Sequence, residues 1–335
     1  MSTATENQQL LDSSSMRRLV ARHPVAAFLV MAFAFGWSGM LPLLLSESGP
    51  FGVLPIALPW QPFGVILSVF GLALPAFLVT AATDGKAGVR DLLRRSLRWR
   101  VGVHWYLIAL LGLLVVTVLV AIPFLGVVPL EALAQNWSLL FTVFLPGVLI
   151  PFVLVNLWEE LGWTGFMQHT LQERHGPLLA SIMVAPAFAL IHLPGFFAAG
   201  FINDEPMPLS QFPAVLLQVG VLAVAAMFFR LVIMWLYNGS GRSVLIVALF
   251  HSAFNMTNGQ KITPELLLLP GGMASLIPWA AVAVLAVVVV LFTRGRLSYE
   301  PERAATSRRD GGSSSPTEGA ITKLLERRTL PPSQT

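Results

Sequence analysis

The sequence predicts an all-α, polytopic membrane protein with about eight transmembrane helices around a membrane-embedded polar cavity. Of its 335 residues, 55% are hydrophobic and 11% are charged, whereas a soluble domain usually carries about 25% charged residues. The apolar residues also collect in runs close to the roughly 20 residues that a helix needs to cross a bilayer. So few charges cannot cover a water-exposed surface, and much of this surface must therefore face lipid.

The apolar runs define the predicted spans. They cover residues 25–46, 60–82, 105–127, 138–173, 177–199, 211–238, 241–257 and 272–293. Helices are expected because open strands would leave backbone groups unpaired in lipid. The run at 138–173 is too long for one straight span, and we expect Pro146 and Pro151 to break it and leave a half-helix. The run at 241–257 is short and polar, which indicates a helix sheltered by its neighbours.

The basic residues predict the orientation. Alternation through the spans places on one side the segments 1–24, 83–104, 174–176, 239–243 and 294–335, which hold nearly all of the lysines and arginines. The loops of the opposite side hold Lys261 and several acidic residues. Such an asymmetry marks the basic side as cytosolic. The prediction is a multi-pass protein of the cell membrane with both termini in the cytosol.

Three regions follow from this arrangement: a polar cytosolic arm (1–24), a transmembrane domain (25–294, with its polar motifs at 140–260) and a disordered cytosolic tail (295–335). Between the second and third spans, residues 90–100 alternate leucines and arginines at helical spacing. This segment is expected to lie as an amphipathic helix on the anionic cytosolic leaflet. Because the cytosolic loops account for the basic charge, nucleic acid is not expected as a partner.

Costly polar residues occur in three of the predicted spans, where charged groups are usually functional. The first cluster contains Glu159 and Glu160, the second His192, and the third His251 with Asn255 one turn farther along the same face. At a rise of about 1.5 Å per residue, Glu159, His192 and Asn255 lie about 21–24 Å from the cytosolic ends of their helices. Three distant stretches thus bring polar groups to a similar depth.

This set of side chains suits the hydrolysis of a peptide bond by activated water. A carboxylate with a neutral imidazole can hold and deprotonate a water, while a second histidine and an amide can donate hydrogen bonds to an oxyanion. The chain has no cysteine, and no serine nucleophile with its own His/Asp pair is evident. Glu159, His192 and His251 could alternatively bind Zn²⁺. Each residue also has a structural explanation, as a solvated helix end or a contact between helices.

The three clusters resemble the motifs of the CAAX protease and bacteriocin-processing family of intramembrane proteases. The family combines Glu-Glu-x-x-x-Arg, Phe-x-x-x-His and His-x-x-x-Asn/Asp on separate helices, and here they match Glu159-Glu160, Phe188 to His192, and His251 to Asn255. The resemblance implies an all-helical protease in which Glu159 and His192 activate water and the pair on the last helix stabilises the oxyanion.

The family has been described as metal-dependent, and a metal-free glutamate mechanism is the interpretation that we prefer. Its substrates and partners include prenylated CAAX proteins, leader peptides and partners in bacteriocin immunity. A protein or peptide substrate and membrane lipid are therefore the expected partners.

One position departs from the family pattern. Thr164 stands where the family has the arginine that would pair with Glu160. Arg230, from another span, could supply the missing charge, but the preferred interpretation is that it snorkels to the cytosolic interface. Without a charged partner, burial would favour the neutral form of Glu160.

Two other functions remain open from the sequence. The missing arginine is compatible with a catalytically silent relative that acts as a membrane scaffold or immunity partner. A proton-coupled transporter would also carry glutamate and histidine in its spans, although no repeated half or matched pair of broken helices is evident.

Overall fold

The computed structural model describes residue 15 and residues 17–258 and 262–301. The described residues up to Ser298 belong to one compact unit. Most of the predicted polar arm, and the predicted disordered tail from residue 302 onward, lie outside the described residues. The helices are α1 (Pro24–Leu45), α2 (Trp60–Thr83), α3 (Gly85–Ser96), α4 (Val103–Leu125), α5 (Val128–Gln135), α6 (Leu140–Ile191), α7 (Leu193–Phe197), α8 (Phe212–Gly239), α9 (Val244–Asn258), α10 (Thr263–Leu266) and α11 (Met273–Phe292).

The helices confirm the polytopic membrane fold. Among the described residues, five helical stretches are long and apolar enough to cross a membrane: α1, α2, α4, α6, and α8 with the turn before it. Shorter apolar helical stretches are formed by Val244–Asn258 and Leu276–Phe292. The long helix α6 contains two of the predicted spans, so every predicted apolar run lies largely within a helix.

The prediction of a break at Pro146 and Pro151 is wrong. Helix α6 continues through both prolines, because π-helical turns at Leu140–Phe144 and Phe152–Asn156 flank the proline-bearing segment. Such turns shift the hydrogen-bond register and let a membrane helix absorb a proline without ending. The bend falls instead at Gly176, where φ is 77° and ψ is 164°. A positive φ favours glycine, and Pro177 restarts the helix.

Helix α9 is sheltered, as its sequence predicts. All of its residues except Leu245, Asn255 and Asn258 are buried. It packs between α4, α6, α8 and α11. A helix with buried polar residues on several faces can exist in a membrane protein only where protein surrounds it.

Helix α3 is amphipathic, and it is anchored to the bundle through Arg95. The Arg95 Nη1 donates hydrogen bonds of 2.7 Å to the Gly165 carbonyl of α6 and 2.7 Å to the Tyr237 hydroxyl of α8. Its Nε donates to Asp91 at 2.8 Å. Burial opposes ionisation of Asp91, but Arg95 and Arg94 outweigh it, so the pKa of this carboxyl lies below its usual value. The contact of α3 with an anionic leaflet stays a prediction.

Candidate active site

The two adjacent glutamates lie on α6, just before its π-helical segment Leu161–Gln168. Glu160 is completely buried, and Glu159 is 6% exposed. Successive residues of a helix point about 100° apart. The two carboxylates therefore face different neighbours, and their surroundings differ in charge.

Glu160 forms an ion pair with Arg230 of α8. The guanidinium donates hydrogen bonds of 2.9 Å and 3.1 Å to the two carboxylate oxygens. The Thr164 hydroxyl donates to the same carboxylate and accepts a hydrogen bond of 3.2 Å from Arg230. Arg230 is 0% exposed, so the interpretation that it snorkels to the interface is wrong. It points into the bundle because a buried carboxylate is stable only when it is paired and hydrogen-bonded.

His251 of α9 lies between the two carboxylates. Its Nδ1 is 2.7 Å from Glu160 Oε1 and 3.7 Å from Glu159 Oε2. Since a carboxylate only accepts, Nδ1 carries the proton of the shorter contact, and Nε2 remains for another partner. Asn255 lies one turn farther along α9 and is half-buried, on the face that carries His251.

Besides His251, Glu159 has two neutral hydrogen-bond donors beside it. The Ser68 hydroxyl of α2 lies 3.4 Å from its Oε1, and the Asn156 side-chain amide lies 3.5 Å from its Oε2. The sequence interpretation missed both residues, since a single serine in an apolar run carries no motif. Asn156 could have been noticed, because it precedes Glu159 by three residues and shares its helix face.

His192 follows the last residue of α6, and its ring is held on two sides. Its Nδ1 donates a hydrogen bond of 2.7 Å to the Phe188 carbonyl, which leaves Nε2 as the acceptor of the neutral ring. The ring of Phe201, from the loop between α7 and α8, stacks on His192 at a centroid distance of 5.7 Å and an angle of 13°. The sequence interpretation did not identify Phe201.

Phe188 joins the histidines and Arg230. Its ring centroid is 4.9 Å from that of His192 and 5.9 Å from that of His251. The Arg230 guanidinium carbon lies 4.4 Å from the same ring centroid, in the geometry of a cation–π contact. The structure therefore brings the three polar clusters together around one phenylalanine, with Glu159, Glu160 and His251 closest to each other.

The donor set does not fit a zinc site as it is placed. Across residues 17–258 and 262–301, no group of three or more histidine, aspartate or glutamate side chains is positioned to hold a metal ion. Of the candidate ligands Glu159, His192 and His251, both histidines use Nδ1 in hydrogen bonds to protein oxygens, so Nε2 is the atom of each ring that could bind a metal. The resemblance to a metalloprotease is not supported.

Part of the chain is similar in sequence to known proteins. Residues 141–257 match the family described as type II CAAX prenyl endopeptidase Rce1-like. The chain is also 26% identical to CAAX prenyl protease 2 of Methanococcus maripaludis over 145 residues, which is 43% of this chain. The match spans about half (51%) of the length of that relative. The matched segment, which contains both glutamates, His192, His251 and Asn255, is similar to CAAX prenyl proteases.

Proposed function

We propose that the protein is an intramembrane endopeptidase that hydrolyses a peptide bond near the membrane with a water activated by Glu159 and His192. The observation that carries this proposal is the unequal environment of the two glutamates. Arg230 binds Glu160 through both oxygens, whereas Ser68 and Asn156 offer Glu159 neutral donors. We therefore assign the role of general base to Glu159, and to Glu160 the role of holding Arg230 and His251 in place.

In the proposed reaction, Glu159 accepts a proton from the water while the neutral Nε2 of His192 accepts a hydrogen bond from it. The water oxygen attacks the carbonyl carbon of the scissile bond. The amide of Asn255 donates a hydrogen bond to the oxyanion, and His251 donates a second one from Nε2 in the form of the ring that carries a proton there. Glu159 then returns its proton to the leaving amine as the C–N bond breaks, which restores the carboxylate.

The proposed substrate is a protein or peptide held at the membrane, either a prenylated CAAX protein or a leader peptide. The family match and the name of the methanococcal relative support this class. The proposed orientation places both termini in the cytosol, since the basic segments lie on that side.

The alternative of a catalytically silent scaffold drew its support from Thr164. That support is weaker in the folded protein, because Arg230 supplies the positive charge to Glu160 from another helix. No observation on the described residues favours the transporter alternative.

The test is cleavage by the purified protein in detergent. A prenylated CAAX peptide and a panel of leader peptides are offered to the wild type and to the Glu159→Ala variant, and products are identified by mass spectrometry. We expect a single cleaved bond with the wild type and none with the variant. A variant that cleaves like the wild type contradicts the proposal. A cellular phenotype that survives Glu159→Ala identifies a scaffold, and Glu159-dependent solute flux into proteoliposomes identifies a transporter.

A further inference from the structure

We infer that Asn156 and Ser68 are additional residues of this site, which hold the Glu159 carboxylate and, through Asn156 Oδ1, orient the attacking water. This inference rests on the proposed function. The motifs that carry the family resemblance contain neither residue.

Asn156 is completely buried and carries an unused acceptor. Its relative exposure is 0%, and its Nδ2 lies 3.5 Å from Glu159 Oε2. Among the described residues, no hydrogen-bond donor reaches its Oδ1. Buried side-chain oxygens nearly always have a partner, because removing them from water without one is unfavourable. We therefore expect Asn156 Oδ1 to accept a hydrogen bond from a molecule other than the described part of the protein.

A water molecule in contact with both side chains meets this requirement. Glu159 and Asn156 Oδ1 are both acceptors, and a water carries two hydrogens. One hydrogen points to Glu159 and is transferred during the attack. The other is shared, as a three-centre hydrogen bond, between His192 Nε2 and Asn156 Oδ1, and this second contact fixes the rotation of the water and aims its lone pair. The amide group suits both tasks, since its nitrogen donates to the carboxylate while its oxygen accepts from the water.

Ser68 restrains the carboxylate from the side of α2. Its hydroxyl donates to the Gly64 carbonyl at 2.7 Å and lies 3.4 Å from Glu159 Oε1. One hydroxyl hydrogen serves these two acceptors, so the bond to Glu159 is the weaker of the two. Together with Asn156 on the other oxygen, it limits the rotation of the Glu159 side chain. Ser68 is thus a positioning residue, whereas Asn156 contacts the reacting water.

The experiment measures kcat and KM for peptide cleavage by variants of the full-length protein. Asn156→Leu preserves the shape of the side chain and removes both polar atoms, and we expect kcat to fall about tenfold to a hundredfold while KM stays within about twofold. Ser68→Ala should lower kcat less, by about threefold to tenfold. Ser68→Thr keeps the hydroxyl and should have a kcat close to that of the wild type.

Ser96→Ala is the matched control. It removes another buried hydroxyl that donates to the carbonyl four residues earlier, the Leu92 carbonyl at 2.9 Å, but from the peripheral helix α3. It should leave kcat unchanged. If Ser96→Ala and Ser68→Ala lower kcat equally, the positioning role of Ser68 is wrong.

The pH dependence of cleavage by Asn156→Asp is a second test of the role of Asn156, and it applies even if Asn156→Leu does not fold. A protonated carboxyl can donate and accept as the amide does, whereas the ionised form only accepts and repels Glu159. The variant should approach wild-type activity at the acid end of the pH range and lose it as the pH rises. A pH profile parallel to that of the wild type overturns the inference.

Failure of the inference is distinct from failure of the proposed function. If Glu159→Ala abolishes cleavage while Asn156→Leu cleaves within about twofold of the wild-type rate, the endopeptidase stands and the role of Asn156 is wrong. If Glu159→Ala cleaves normally, the proposed function itself is wrong, and the inference falls with it.

Discussion

Arg230 of α8 and Glu160 of α6 form a buried bidentate ion pair, with N···O distances of 2.9 Å and 3.1 Å. Both side chains are 0% exposed. The family motif places its arginine on the same helix as the glutamates, four residues after the second one. In this chain the charge reaches Glu160 from a different helix, and Thr164 fills the vacated position with a hydroxyl that bonds to both partners.

Removing Arg230 should be strongly destabilising. Arg230→Leu leaves a buried carboxylate without its charged partner, and we expect a loss of about 3–5 kcal/mol in the free energy of unfolding, together with loss of cleavage. Equilibrium unfolding in detergent measures the first effect and peptide cleavage the second. Arg94→Leu, at a side chain that is 69% exposed, serves as control. A stable and active Arg230→Leu variant would refute the functional importance of the pair.

Moving the charge back to the family position should rescue the protein. Thr164→Arg alone places a second guanidinium beside Arg230 and should destabilise the fold by overpacking and repulsion. In the Arg230→Leu background the same change should recover stability and part of the activity. The double-mutant cycle gives a coupling free energy, for which we expect about 1–3 kcal/mol in favour of the double variant. Additive effects would show that the two positions do not share one role.

Anchoring of α3 by Arg95 should contribute to stability. Arg95→Leu removes the hydrogen bonds to Gly165 and Tyr237. The Gly165 carbonyl and the Tyr237 hydroxyl then stay buried without this donor, which should lower the free energy of unfolding by about 1–3 kcal/mol. The neighbouring and exposed Arg94, when changed to leucine, should alter stability by no more than about 0.5 kcal/mol. Thermal unfolding and proteolysis of the segment between α2 and α4 compare the two. Equal effects of the two changes would place α3 on the surface without anchoring.

Cleavage should not require a divalent metal. Because no group of three or more histidine, aspartate or glutamate side chains in the described part of the chain is placed to hold a metal ion, we expect activity to persist after treatment with a chelator and added Zn²⁺ not to raise the melting temperature. Measurements of cleavage and of thermal unfolding, with and without chelator, check this expectation. Loss of activity in chelator that Zn²⁺ restores would show that the side chains rearrange to bind the metal.

The sequence was sufficient to predict the membrane fold, because apolar runs report directly on lipid exposure. It also predicted a similar depth for Glu159, His192 and Asn255, since helical rise converts residue number into distance. The direction of Arg230 could not be predicted in this way, because depth along a helix does not specify which neighbouring helix a side chain faces. The prolines of α6 misled the interpretation for a related reason: π-helical turns have no sequence signature of their own.

The sequence interpretation also missed site residues that belong to no motif. Ser68 approaches Glu159 only because α2 and α6 pack against each other. Phe201 reaches His192 from a loop, and loop conformation does not follow from hydrophobic pattern. These contacts depend on tertiary packing, which a single sequence does not encode locally.

The central claim is that Glu159 and His251 act together in one catalytic site. The most direct measurement is the rate of peptide cleavage by Glu159→Gln, by His251→Gln and by the double variant, each shown to be folded by thermal unfolding. We predict that each single change lowers kcat by at least about a hundredfold and that the double variant is no slower than the slower single variant, because residues that act as a unit are not additive. Cleavage by Glu159→Gln at the wild-type rate, or losses that multiply in the double variant, would contradict the claim.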